Sequence, residues 1–270
     1  MIRFGVCQWI MDCSGVEALS RAAELGFEGI QLGIAEENRA IHEPALQKAY
    51  LRASQQTGVE IVGFGINTMN ALPLFSPPDS DEGRRCHDLM RSALDTALAM
   101  GVGLVYCPAF FDAEIRTDDQ LERASAMFRR GCEHIEGQPV LLATENTLDA
   151  DRNLRLLELV DHPSLRVLID SYNPVLYGHQ AAALLRNLPA RYLCNQMHAK
   201  DGLNQVMGNA PLGQGEGRFA DFVQALKDVG FEGWLISETD YRDNADELAA
   251  ADLATMNALI ASDQAPESPV

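Results

Sequence analysis

An α/β architecture, the closed (β/α)8 TIM barrel, is the expectation for this chain of 270 residues. Three observations carry it. Eight strand-like runs alternate strictly with eight helical stretches, the signature of a parallel sheet covered by helices. Eight is the number that closes such a barrel, and roughly 250 residues is its usual size. The long connections, residues 67–82 and 200–217, follow strands, whereas connections after helices are as short as Gly26-Phe27 and Gly58-Val59. Barrel enzymes build their active sites from the loops after strands. A doubly wound open sheet is the rival, but no GxGxxG-type turn follows the first strand.

The elements follow in order. Residues 2–9 are rich in branched and aromatic side chains and predict the first strand. The helix after it, 14–26, has Ser14 and Glu17 spaced as a capping box and Gly26 as its stop. Strand two is 27–33, and its helix 44–58 opens on Pro44 and closes on Gly58. Strand three, 59–67, leads through a long loop to a helix over 84–101. Strand four and its helix span 101–109 and 118–135. Strand five is 139–146 with helix 150–160, and strand six is 165–171 with helix 178–188. Strand seven, 191–201, runs into a glycine-rich loop and helix 218–230. Strand eight, 233–238, is followed by helix 244–262. No linker divides the chain, so residues 1–261 are expected to form a single barrel domain, with 262–270 as a disordered tail.

Net charge is −18, from 21 basic and 39 acidic residues. Such a surface repels polyanions and argues against nucleic acid as a partner. No apolar run approaches the roughly 18 residues that span a bilayer, so no membrane association is expected. The N-terminus reads as a strand rather than an export signal. Six cysteines without a Cys-x-x-Cys pair read as reduced thiols, consistent with a cytoplasmic protein. Cys7, Cys107 and Cys194 lie in strand-like runs as small buried hydrophobes.

Four apolar runs, the His198 run less so, end in a carboxylate or an imidazole. Glu145 closes PVLLATEN, Asp170 closes LRVLIDS, His198 closes RYLCNQMH and Glu238 closes GWLISE. The intervals of 25, 28 and 40 residues each accommodate a loop, a helix and the next strand. A parallel barrel puts all such strand ends on one rim, where residues far apart in sequence meet. Three carboxylates and an imidazole form a hard site suited to Mn²⁺ first, or to Mg²⁺, Co²⁺ or Zn²⁺. Taken singly, each residue also reads as a cap or salt bridge at a strand end.

The stretches ATENT, LIDSYN, MHAKD, LGQGEGRFADFVQAL and LISETD, with the opening EALSRAAELGFEGIQL, span nearly the whole chain. In order and spacing they resemble the sugar isomerase/epimerase superfamily with the xylose-isomerase-like barrel. The resemblance implies one divalent metal held by Glu145, Asp170, His198 and Glu238. It also implies that the two glutamates exchange protons with a bound sugar or sugar phosphate. The physics agrees: a cation beside a ketone oxygen stabilises the enediolate left when an α-proton departs. One carboxylate takes the proton and the other returns it. Isomerisation and epimerisation share that step with dehydration, so an inosose-type dehydratase is an alternative; a non-catalytic sugar- or metal-binding barrel is another. Relatives are often dimers or tetramers, so a homo-oligomer also follows from the resemblance alone.

Several positions depart from the relatives. Asn173 stands where ketose 3-epimerases have a substrate-binding His, and Gln31 stands where many relatives have Glu. Asp151 matches an acidic position that contacts substrate in the epimerases, and it equally suits a helix N-terminus. DNA-repair endonucleases share the barrel but need a trinuclear zinc set that Gly65, Asn67, Cys107, Pro108 and Asn173 do not supply. Lys200 is placed to touch a substrate oxygen or phosphate, or to be solvated. Trp9, Phe75, Phe110 and Phe111 offer an apolar wall to a sugar ring, or pack the loops. The LGQGEG run reads as turn-forming glycine rather than a phosphate cradle, with Arg218 as an anion-binding candidate. His42 and His179 read as structural or solvated, and His134 and His162 have no partner legible in the sequence.

Overall fold

The computed structural model describes residues 1–34 and 41–262. Its strands are β1 (Ile2–Cys7), β2 (Gly29–Gly33), β3 (Glu60–Gly65), β4 (Leu104–Ala109), β5 (Leu141–Asn146), β6 (Leu165–Val167), β7 (Gln196–Ala199), β8 (Gly202–Leu203), β9 (Val206–Met207) and β10 (Gly233–Ser237). Its helices are α1 (Glu17–Leu25), α2 (Pro44–Thr57), α3 (Asp81–Met100), α4 (Asp118–His134), α5 (Ala150–Val160), α6 (Asn173–Leu176), α7 (Ala181–Asn187), α8 (Phe219–Asp228) and α9 (Ala245–Ala261). Eight strands form one sheet in the order β6-β5-β4-β3-β2-β1-β10-β7. The pairings of β1 with β10, β10 with β7, β3 with β4, β4 with β5 and β5 with β6 are all parallel. Beyond β6, Asp170 and His198 form a parallel bridge. His198 N donates to Ile169 O at 3.1 Å and Ser171 N to His198 O at 3.0 Å. Residues 169–171, just past β6, are thereby paired with β7.

Two compact units are distinguished within the chain. One comprises Met1–Ile30, Thr57–Val59 and Ile169–Val270. Its core includes Leu19, Phe222, Leu226, Leu235 and Ile236, all fully buried. The other comprises Gln31–Gln56 and Glu60–Leu168, with Phe64, Leu94, Leu104, Phe128, Leu142 and Leu156 fully buried. Each such side chain stabilises the fold by about 1.5–3 kcal/mol relative to exposure.

Local chemistry explains the helix ends. Thr117 caps α4 through a reciprocal box: Gln120 N donates to Thr117 Oγ1 at 3.2 Å and Thr117 N to Gln120 Oε1 at 3.1 Å. Gly26, at φ 91°, ends α1 in the left-handed conformation that glycine tolerates. The expected box at Ser14 does not form. Gly15 turns at φ 66°, α1 begins at Glu17, and its cap position is Val16 without a side-chain bond. Helix α3 begins at Asp81, three residues before the predicted 84, because Ser80 Oγ accepts from Gly83 N at 3.0 Å and Asp81 and Glu82 complement the helix N-terminus. The sixth predicted helix, 178–188, forms as α7, and a short helix the sequence did not announce, α6, precedes it. The glycine-rich loop contains an unforeseen hairpin, β8–β9, turning through Asn204 and Gln205 at φ 55° and 62°. The predicted tail beyond residue 262 lies outside the described residues. Among the described residues no helix is long and apolar enough to cross a membrane.

Candidate metal centre

Asp170 sits just past β6, where its backbone bridges to His198. Its Oδ1 accepts from Tyr172 N at 2.7 Å and Asn173 N at 2.6 Å. The first turn after the strand thus fixes one carboxylate oxygen and aims the other, Oδ2, toward the Lys200 ammonium at 3.6 Å. His198, on β7, is fully buried. Its Nδ1 lies 3.3 Å from Glu238 Oε2, and its Nε2 lies 4.0 Å from Cys7 Sγ. The second ring nitrogen therefore meets a thiol. Burial pushes the Cys7 pKa up to about 12, against the lowering effect of His198, so the thiol stays neutral.

Glu238 follows β10, and its backbone N extends the ladder by donating to Ala199 O at 2.8 Å. Its two oxygens have different company. Oε1 accepts from Trp9 Nε1 at 2.9 Å, while Oε2 faces Lys200 Nζ at 2.7 Å as well as His198. Burial alone would raise its pKa; Lys200 and His198 outweigh that and hold it well below the usual carboxylate value. Trp9 also meets the His198 ring edge-on at 6.5 Å. Lys200 is held in turn: its Nζ donates to Asn173 Oδ1 at 3.1 Å, its N to Ser171 Oγ at 2.8 Å, and its carbonyl accepts from Ser171 Oγ at 2.6 Å.

Glu145, on β5, is a carboxylate with only 4% of its surface exposed. Glu145, Asp170, His198 and Glu238 each offer one ligand atom, and these atoms all lie within 4.8 Å of one another. Burying carboxylates together is costly unless a cation compensates them. Three carboxylates and one imidazole are a donor set that fits a divalent ion of intermediate hardness. The quartet anticipated from the strand ends is therefore brought together.

Asn173 and Lys200 stand beside the quartet, as their place after the Asp170 and His198 strands suggested. Trp9 is not only a wall: its indole N–H is committed to Glu238. Asp151 is exposed in the first turn of α5, behind the cap Asp149 whose Oδ1 accepts from Arg152 N at 2.8 Å. That position suits a helix N-terminus. Phe75 is half-buried, Phe110 is buried with its N donating to Asn70 Oδ1 at 3.3 Å, and Phe111 is exposed. His134, for which the sequence offered no partner, meets Asp95 Oδ1 at 2.7 Å. His162 Nδ1 accepts from Ser164 N at 3.1 Å. Arg218 is paired with Asp221.

The glycine-rich loop has a role that sequence reasoning missed. Asp201, fully buried, gathers four backbone donors. Gly202 N and Gly217 N donate to Oδ1 at 2.9 and 2.8 Å; Gly213 N and Gly215 N donate to Oδ2 at 3.0 Å each. The N–H groups of LGQGEG are thus directed at an internal anion. Of its glycines only Gly213 takes a positive φ, 81°. Gly215 is needed for close approach, since a Cβ there would strike Asp201 Oδ1 and Gly202 O. The alternating glycines downstream of an Asp are a signal that could have suggested the cradle.

Against known proteins, the profile of the family described as "Xylose isomerase-like TIM barrel" matches residues 19–259. A curated relative, 2-epi-5-epi-valiolone 7-phosphate 2-epimerase of Actinoplanes sp., is 31% identical over 254 residues, covering 93% of this chain and 92% of its own. Among solved structures, the D-psicose 3-epimerase of Clostridium cellulolyticum H10, determined with D-tagatose, superposes with a TM-score of 0.77 at 17% identity, over 96% of this chain and 99% of that one. The IolI protein, determined with a bound zinc atom, superposes with a TM-score of 0.78 at 13% identity, over 96% and 98%. At those identities the superpositions establish a shared fold.

Proposed function

Since the chain belongs to the xylose isomerase-like TIM barrel family, we propose that it is a divalent-metal-dependent epimerase or isomerase of a small sugar or sugar phosphate, with residues 1–261 working as one barrel domain. The observation that carries this reading is the quartet whose ligand atoms fall within 4.8 Å. The similarity to an epimerase of a 7-phosphate favours a phosphorylated, sugar-like ketone as substrate and inversion at one carbon as the reaction. Glu145, Asp170, His198 and Glu238 would hold the ion, manganese foremost. When bound, it supplies positive charge against the negative charge that develops on a substrate oxygen.

The chain's own groups do the rest. One of Glu145 and Glu238 removes the proton α to the carbonyl, and the other returns it from the opposite side. Asp170 is tied to the backbone through Oδ1 and stays fixed as that happens. Asn173, with Lys200 hydrogen-bonded to it, is placed to meet a substrate hydroxyl or carbonyl. The Asn173 amide neither accepts nor releases a proton at neutral pH, which leaves proton transfer to the carboxylates. Trp9 positions Glu238 through Oε1. Trp9→Phe keeps a ring and removes the N–H; it is expected to lower turnover about tenfold, the scale of one charge-assisted hydrogen bond, with metal content unchanged by elemental analysis.

The test of the reading is chelation followed by a panel of ketoses and their phosphates in D₂O with Mn²⁺ restored. One deuterium per product molecule, lost on chelation and regained with Mn²⁺, is the expected result. A product lighter by one water, with conjugated-carbonyl absorbance, would make the enzyme a lyase. Protein that binds Mn²⁺ yet exchanges no substrate proton across the panel would point to a non-catalytic barrel.

A further inference from the structure

Among the described residues, Lys200 is a lysine buried against carboxylates. It is 5% exposed, and its ammonium lies 2.7 Å from Glu238 Oε2, 3.6 Å from Asp170 Oδ2 and 3.1 Å from Asn173 Oδ1. Glu238 Oε2 is also the oxygen that lies 3.3 Å from His198 Nδ1. The oxygen that Lys200 grips is therefore the one turned toward the imidazole nitrogen that would ligate an ion. A buried ammonium so close to two carboxylates is stabilised by them and stabilises them in return. A divalent ion seeking the same oxygen meets a positive charge already beside it. The formal charges lead to the same place: three carboxylates carry −3, the ammonium +1, and a divalent ion +2 brings the cluster to zero.

We propose that Lys200 is a resident counter-cation of the carboxylate cluster: it competes with the divalent ion for Glu238 Oε2, and when the ion binds it gives up that ion pair, keeps its hydrogen bond to Asn173 and turns toward substrate oxygen. This deepens the metal-dependent reading above and rests on it. The flexible stem of lysine permits the shift, and Asn173 Oδ1, already an acceptor, keeps the ammonium partnered. Lys200 thereby keeps metal affinity lower than the donor set alone would give, and it holds Glu238 and Asp170 in place when no ion is present.

The experiment titrates chelator-stripped wild type, K200M, K200Q and K200R with Mn²⁺ by calorimetry at physiological salt, and follows thermal unfolding of the metal-free forms. Removing a unit charge a few ångström from the ion is expected to tighten Mn²⁺ binding about tenfold in K200M and K200Q. Their metal-free forms should melt below wild type, while K200R, which keeps the charge, stays near wild type in affinity. K48Q makes a matched change in net charge and should leave affinity unmoved. K200Q, which retains polarity and most of the length, decides the matter if K200M does not fold. Folded K200Q with affinity equal to or weaker than wild type would overturn the proposal while leaving the metal reading intact. Wild type that binds no divalent ion would instead bring down the metal reading, and the competition with it.

Discussion

Glu238→Gln is expected to fold as the parent does and to lose substrate–solvent proton exchange by about 10²–10⁴-fold, the range contributed by a positioned general acid or base. The substitution is nearly isosteric. The glutamine carbonyl can keep the hydrogen bond from Trp9 Nε1 that Glu238 Oε1 now accepts. The amide nitrogen then faces Lys200 and His198, where Oε2 stood. It has no negative charge for the ammonium and no basicity toward a substrate proton. Lys200 retains Asp170 and Asn173 as partners, so the core need not rearrange. Glu145→Gln should lose exchange to a similar degree with the fold kept. Deuterium incorporation by mass spectrometry, with circular dichroism and Mn²⁺ content measured on the same samples, separates lost chemistry from lost structure. Near wild-type exchange in either variant would remove the two-glutamate scheme.

Asp201→Ala should be the most destabilising single substitution near the site without removing a metal ligand. Four backbone N–H groups lose their acceptor at once, those of Gly202 and Gly217 in buried positions and those of Gly213 and Gly215 in partly buried ones. A buried donor left unpaired costs about 1–3 kcal/mol. Water can reach the two outer groups, so a total loss of roughly 3–5 kcal/mol in urea unfolding is expected. Asp201→Asn keeps the volume and one acceptor oxygen, and should cost about half as much. Its amide would turn a donor toward two donors. Asp201 lies next to Lys200, so loosening of residues 202–217 should also reduce Mn²⁺ affinity in the alanine variant. A loss below about 1 kcal/mol for Asp201→Ala would mean that the loop finds its conformation without the carboxylate.

Much of the architecture was legible before any coordinates. The eight apolar runs correspond to β1 through β7 and β10 in order, and the four polar residues at run ends bring one potential ligand atom each within 4.8 Å of the others. One reason makes both legible: strands buried on both faces must be apolar along their length, so a carboxylate or imidazole where the run stops is conspicuous. Local rules failed where a single residue could redirect the chain. Ser14-x-x-Glu17 has the composition of a capping box, but Gly15 at φ 66° takes the backbone away from the geometry the box needs. The β8–β9 hairpin was hidden because each of its strands has only two residues, too short for any alternation to register.

The sequence by itself determined the order of strand and helix, the parallel class of sheet, and which four residues arrive at strand ends with ligand chemistry. Tertiary structure alone decided which atoms face which. It sets Trp9 on Glu238 across 229 positions of chain, gives Lys200 to Glu238 and Asp170, seats Cys7 behind His198, and closes a glycine loop around Asp201. The division has a physical cause. Periodicity and turn chemistry report the face a side chain takes and the place a strand ends, which are local properties of the backbone. The partner of a particular oxygen depends on rotamers and on distances of a few tenths of an ångström between segments remote in sequence, and these exist only once the core has packed.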